Sequence, residues 1–269
     1  MEPASLSLSR SLLFLPASNA RAIEKARELA ADMIVLDLED SVREADKAAA
    51  REAAAAAATE GFGGRPVAVR VNATTTGHYG ADIVAVRRSP IDYVVLPKAE
   101  SAKQVHDVAW LVGKPVLAMI ETPRGVIDAA AIAPATRGLV AGTNDLAASL
   151  RLPPQQGRGG LVYALQRIVL AARAAGLPAF DGVYNRLEAD GGLEAECEEG
   201  RRYGFDGKSV IHPSQIDTVN RLFAPTEAEL EAAQALIAAA TGGAERHDGR
   251  MIETLHVEQA RGLLAKARR

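Results

Sequence analysis

A single cysteine, Cys197, in 269 residues excludes an internal disulfide and any thiolate metal cluster. Its neighbours Glu196 and Glu198 would raise the thiol pKa, so a nucleophilic role is not expected. Long stretches of one charge are also missing. The net charge of −3 is spread over interspersed Lys, Arg, Asp and Glu, with no basic block to meet nucleic acid and no acidic tail to stay disordered. No apolar run is long enough to cross a bilayer, and the first residues, Met1-Glu2-Pro3-Ala4-Ser5, lack the basic-then-apolar pattern of an export signal. The expectation is a cytoplasmic protein without a nucleic-acid or membrane partner. His78, His106, His247 and His256 have no metal-ligand spacing, and His212 reads as a hydrogen-bonded structural histidine. A Gly-x-Gly-x-x-Gly turn is absent too: Leu15-Pro16-Ala17-Ser18-Asn19 follows the first apolar run.

What is present is alternation. Hydrophobic residues make up 48% of the chain, enough for a large core. Apolar runs at 12–15, 33–38, 66–71, 91–96, 115–120, 136–141, 178–183 and 207–211 read as strands buried on both faces. Between them lie stretches of helical spacing at 19–30 (capped by Ser18 or Asn19), 46–59, 81–88, 102–111, 161–175 and 193–203. Thr122-Pro123 would start a further helix, and 153–160 is a Pro/Gly loop. Eight such units predict an α/β fold closed as a (β/α)8 TIM barrel, which fits a chain of roughly 250 residues. An open doubly wound sheet is the alternative, and the missing glycine fingerprint weighs against it. The barrel would occupy 1–223. Residues 224–269 would form a C-terminal extension: a helix at 226–240, a break at 241–243, a turn-like lid segment at 247–252 and a last helix at 257–267. That extension would cover the barrel mouth or pack on a neighbouring subunit.

In parallel α/β folds the C-terminal strand ends face the ligand. Here they carry polar residues. The second run ends Asp37-Leu38-Glu39-Asp40, the third Arg70-Val71-Asn72 and the fourth Pro97-Lys98. The fifth meets Glu121 and the sixth opens into Gly142-Thr143-Asn144-Asp145, while the seventh and eighth carry Asp181 and Lys208. Glu121 and Asp145, on consecutive strands, are candidate ligands for a hard divalent cation. Mg2+ fits, because it takes one or two protein carboxylates and fills its octahedron with water and substrate oxygens. The competing reading makes each acid a helix cap; it is weaker for Glu121, since Thr122-Pro123 would itself start the helix. Arg70 leaves an otherwise apolar strand and could grip a carboxylate in bidentate fashion or pair with the Asp37, Glu39 and Asp40 cluster; the two are compatible. That acidic cluster would orient metal-bound water.

These motifs together resemble the citrate lyase β-subunit-like family of citryl-CoA, malyl-CoA and citramalyl-CoA lyases, within the HpcH/HpaI aldolase superfamily. The resemblance runs from Arg10-Ser11-Leu12-Leu13-Phe14-Leu15-Pro16 through Val35-Leu36-Asp37-Leu38-Glu39-Asp40-Ser41-Val42, Val69-Arg70-Val71-Asn72, Leu96-Pro97-Lys98 and Ile120-Glu121-Thr122. It continues in Gly142-Thr143-Asn144-Asp145-Leu146, Gly204-Phe205-Asp206-Gly207-Lys208, Ile211-His212-Pro213-Ser214-Gln215 and Asp248-Gly249-Arg250-Met251-Ile252. It implies a TIM barrel with Mg2+ on Glu121 and Asp145, Arg70 on the keto or hydroxy acid, and backbone N–H groups around Gly142, Thr143 and Asn144 on its carboxylate. It further implies that Asp248 moves the proton, commonly from a neighbouring subunit of a trimer or hexamer. The loop 74–80 lacks the Trp often found there in relatives, and nothing in the chain selects one acid.

The activity implied is Mg2+-dependent cleavage of a hydroxyacyl-CoA to an acyl-CoA and a keto acid. Thioester hydrolysis and condensation could use the same site. A non-catalytic subunit of a lyase complex is the third possibility, but a decayed site would be expected to lose Arg70 or a metal ligand, and this chain keeps both.

Overall fold

The eight apolar runs form eight parallel strands that close on themselves in a computed structural model of the chain. The structure describes residues 6–153, 157–187, 190–240, 245–247 and 250–267. In chain order, β1 (Ser11–Pro16), α1 (Ala20–Ala26), β2 (Met33–Asp37), α2 (Lys47–Glu60), β3 (Val67–Arg70), α3 (Tyr79–Arg88), β4 (Tyr93–Leu96) and α4 (Ala102–Val112) make the first half. The second half is β5 (Val116–Ile120), α5 (Pro123–Ile132), β6 (Leu139–Ala141), α6 (Thr143–Ser149), α7 (Val162–Ala174), β7 (Ala179–Asp181), α8 (Gly191–Tyr203), β8 (Gly207–Val210) and α9 (Ile216–Phe223). Closure is made where β1 pairs β8, with Leu12 opposite Ser209 and Leu13 opposite Val210. The TIM barrel read from the alternation is the fold of the chain, with helices after it.

The barrel interior explains where the site lies. Leu12 and Phe14, Met33 and Val35, Tyr93 and Val95, Leu117 and Met119, with Ala68, Val140, Phe180 and Leu6, form one buried cluster. Side chains along a strand alternate in direction, so the same inward parity continues at the strand ends to Asp37, Arg70 and Glu121. The helices start where their caps predict. Asn19 accepts from the Ala22 N–H at 3.0 Å, and Thr122 accepts from Gly125 N–H at 3.0 Å with Pro123 in the first turn.

Three local features add to the expectations or change them. A short helix, α6, comes between the sixth strand and the Pro/Gly loop of 153–160 and carries Asp145 in its first turn. The first helix stops at Ala26 rather than at 30. The segment 247–252 contains strands, not only a turn: β9 (Glu245–His247) pairs antiparallel with β10 (Arg250–Ile252). The chain divides into two compact units, Met1–Asn220 and Arg221–Arg269. In the second, α10 (Glu227–Ala239) opens with a reciprocal capping box between Thr226 and Glu229 and packs on α11 (Thr254–Lys266). Asp248, the proposed proton-transferring residue, lies outside the described residues. No described helix is long and apolar enough to cross a membrane.

Candidate active site

The C-terminal strand ends surround a cavity of about 390 Å3. Phe14, Met119 and Ile211 give it an apolar wall, and Asp37, Asp40, Arg70, Glu121 and Asp145 give it a charged one. β2 and β3 place Asp37 directly opposite Arg70. The guanidinium clasps that carboxylate with both Nε–Oδ1 and Nη2–Oδ2 at 2.6 Å. Burial alone would raise the Asp37 carboxyl, but Arg70 and the Ser41 hydroxyl more than reverse this and hold it below the usual range. Nη1 of Arg70 keeps longer contacts, 3.3 Å to Glu39 Oε2 and 3.9 Å to Met119 Sδ. Its charge also lies over the Phe14 ring, 5.5 Å from the centroid. The short Asp37 pair therefore leaves the Nη1 side of the guanidinium on longer contacts, to Glu39 and Met119.

Glu121 is 3% exposed. Burial, then the nearby Glu39 and Asp145 charges, push its carboxyl up to about 8 against the opposing pull of Arg70 and of the Lys98 N–H. Its position also explains Gly142. A Cβ at residue 142 would sit 2.3 Å from Glu121 Oε2. The Gly142 N–H already donates to the Ile120 carbonyl at 3.0 Å, so what this glycine offers the site is space. Thr143 and Asn144 open α6, where backbone N–H groups have no intrahelical acceptor. The Asn144 side chain is fixed by a reciprocal amide pair with Asn185, at 3.0 and 2.7 Å.

Lys98 ties the two candidate ligands together. Its N–H donates to Glu121 Oε1 at 2.8 Å, while Nζ reaches Asp145 Oδ2 at 2.9 Å and Glu39 Oε1 at 3.0 Å. The residue sits at φ 49°, a left-handed conformation that side chains other than glycine adopt at a cost. These three contacts hold it there. Below, Lys47 Nζ donates to the Leu38 and Glu39 carbonyls and to Asn72, each at 2.7 Å, and Asp82 accepts from Asn72. Sequence reading missed Lys47 and Asp82. The available signal was a charged residue opening the otherwise Ala-rich α2.

Two residues expected on this rim point elsewhere. Asp181 follows the inward Phe180 and Lys208 precedes the cavity-lining Ser209, so parity turns both outward beneath α8. There Lys208 reaches Asp181 at 3.0 Å and Glu196 at 3.1 Å, and Arg158 clasps Asp181 at 2.6 and 2.9 Å. His212 bonds the Ser214 hydroxyl at 2.8 Å and caps the turn after β8, the structural role expected of it. Cys197 is buried, and its thiol is pushed up to about 12, chiefly by that burial.

The residues present fit a divalent cation. Among the described residues five carboxylates (Asp37, Glu39, Asp40, Glu121 and Asp145) face two cations, Arg70 and Lys98, and buried Glu39 Oε2 has no hydrogen-bond partner. Among the described residues no three His, Cys, Asp or Glu side chains converge on one point. A cation between Glu121 and Asp145 would therefore keep positions for water and substrate, as Mg2+ does.

Comparison with known proteins shows the family. Residues 10–213 match the family model described as HpcH/HpaI aldolase/citrate lyase, and 161–269 match a C–C bond lyase of the TIM-barrel fold. The chain is 45% identical to a (3S)-malyl-CoA thioesterase of Cereibacter sphaeroides, covering 96% of this chain and 94% of that protein. It is 36% identical to the citrate lyase subunit beta of Leuconostoc mesenteroides, over 90% and 85%. The crystal structure of CitE from Mycobacterium tuberculosis, in complex with magnesium, acetoacetate and coenzyme A, superposes with a TM-score of 0.83 at 35% identity, covering 96% and 98% of the two chains. With its barrel, its strand-end acids and these full-length matches, the chain belongs to the HpcH/HpaI aldolase/citrate lyase family.

Proposed function

We propose that this chain is a Mg2+-dependent enzyme acting on the CoA thioester of a short hydroxy dicarboxylic acid, of the malyl-CoA class, with thioester hydrolysis as its net reaction. The observation that carries the reading is the cation-deficient acidic rim on an apolar-walled cavity. Glu121 and Asp145 would hold the ion, which when bound supplies Lewis-acid polarisation of a substrate oxygen. Asp37 locks the Nε/Nη2 edge of Arg70, so its Nη1 side is pre-oriented for a substrate carboxylate. Lys98 holds Asp145 and Glu39 in place, and Asp40 completes the acidic edge. The Thr143 and Asn144 N–H groups would donate to the acid, while Phe14, Met119 and Ile211 form the apolar wall against which the substrate would pack. Asp248 would transfer the proton, delivered by the same chain or by a neighbouring copy in a homotrimer or hexamer, which sedimentation measures. The relative at 45% identity supports hydrolysis.

Carbon–carbon cleavage is the second reading, supported by the citrate lyase subunit beta relatives and the C–C bond lyase match. Purified protein with Mg2+ and malyl-, citramalyl- or citryl-CoA separates the two. Free CoA plus intact hydroxy acid marks hydrolysis; acyl-CoA plus keto acid marks cleavage. Silence toward all three, with Mg2+ bound, overturns both.

A further inference from the structure

The opposite end of the barrel carries a second cavity, of about 1040 Å3, where β4 to β7 begin. That face of a TIM barrel ordinarily serves stability, and an open, charged hollow there does not contribute to packing. His106, Lys114, Arg137 and Arg173 line it, and among the described residues no acidic side chain does. Arg173 is engaged, with Asp206 at 2.8 Å and the Leu177 carbonyl at 2.7 Å. Lys114 Nζ reaches one carbonyl, that of Ile91, at 3.3 Å. The exposed Arg137 guanidinium has no hydrogen-bond or ion-pair partner among the described residues.

Tyr93 supplies an independent observation. It is 4% exposed, its ring packs in the interior cluster, and it lines this cavity. Its hydroxyl has no hydrogen-bond partner among the described residues, yet it is not one of the atoms sealed from solvent. The phenol therefore presents a polar atom to the hollow from a ring otherwise packed among apolar side chains. The neighbouring Asp92 does not serve: its carboxylate accepts from the Val67 N–H at 2.9 Å.

We propose that this hollow binds a small, multiply charged phosphate compound, held by Arg137 and Lys114 with the Tyr93 hydroxyl donating from the floor. Among the described residues the guanidinium and the phenol here have no protein acceptor and the ammonium has a single carbonyl at 3.3 Å, so the ligand has to be rich in acceptors and carry more than one negative charge. A phosphate group meets both needs and a lone carboxylate does not. The volume exceeds what a bare phosphate fills and suits an organic ester of nucleotide size. The site stands apart from the reaction at the other barrel end and does not depend on its assignment.

Calorimetric titration of the full chain at low salt, without Mg2+, with pyrophosphate and separately with ADP, tests this. Binding of at least one is expected, weakened at least about tenfold, or 1.4 kcal/mol, by Arg137→Glu and by Lys114→Glu. Both positions reach solvent, so either variant that keeps the wild-type melting temperature suffices. Tighter binding of ADP assigns an organic ester; equal binding assigns the inorganic anion. No binding of either by about 1 mM, or affinities that neither variant moves, overturns the proposal.

Discussion

Two ionic clusters stand on opposite sides of the barrel wall, and they are balanced differently. Behind the wall, Asp181, Glu196 and Glu199 meet Lys208 and Arg158, every one of them in an ion pair. Inside the mouth, five carboxylates share Arg70 and Lys98. The carboxyl shifts record the difference. Burial would raise Asp181, but Lys208 and Arg158 overcome it and hold the group below the usual range. At Glu121 burial wins, reinforced by Glu39, and the carboxyl is pushed up to about 8. A closed cluster is a structural joint. One that is short of positive charge and opens on a cavity is where we propose the cation and substrate to bind.

Breaking the outer cluster should produce the largest effect. Asp181→Ala leaves Lys208 and Arg158 buried without their shared partner, a loss of about 3–5 kcal/mol. Urea denaturation measures it, and the fraction still folded should turn over as before. A loss below about 1 kcal/mol, the range of an exposed pair, would remove the structural half of the comparison.

Glu121→Gln should do the reverse. Mg2+-dependent turnover should fall about 10³-fold, because a bound ion supplies several kcal/mol of transition-state stabilisation. The fold should be kept and, without Mg2+, melt no lower than wild type, since the amide cannot take on the charge that burial disfavours there. Unchanged turnover at saturating Mg2+ would detach the acidic rim from catalysis.

Lys98→Met comes next, with turnover lowered roughly 10–100-fold as Glu39 and Asp145 lose their shared orienting contact. Steady-state kinetics at saturating Mg2+ gives the number, and a change within about twofold would make Lys98 a bystander to the reaction.

Lys98 also shows how much could be read from the chain. Strands buried on both faces leave contiguous apolar runs, so the barrel was legible, and Asp37, Arg70 and Glu121 were legible as the polar ends of those runs. The contacts of Lys98 join β2, β4, β5 and α6 in space, and no local pattern encodes them. Asp181 and Lys208 look like rim residues until the two-residue alternation is counted from Phe180 and Ser209. Thr143–Ser149 was hidden because Gly142-Thr143-Asn144 reads as a turn, and β9 and β10 are three residues each, too short to show a period. The basic hollow at the other end gathers Tyr93 from the start of β4 with Lys114 and Arg137 from the connections before β5 and β6.

The opposite shifts of the two clusters give the smallest and sharpest contrast, in the pH dependence of stability. Glu121 is raised from 4.5 to about 8 on folding, so between those values the folded chain without Mg2+ holds more protons than the unfolded one. Its contribution to stability is complete below pH 4.5 and lost as pH rises through about 8. The slope from one group is at most about 1.4 kcal/mol per pH unit. Asp181 has the opposite sign: its contribution is present above its unfolded value of 3.8 and lost as acid protonates it below. Urea midpoints of wild type and Glu121→Gln between pH 5 and 8 isolate the first effect, because the amide cannot titrate. Wild type should lose stability relative to the variant across that range, and Mg2+, which displaces the proton, should flatten the difference. Parallel profiles would mean that Glu121 is already ionised in the folded chain, and the acidic rim would then be as well balanced as the cluster behind it.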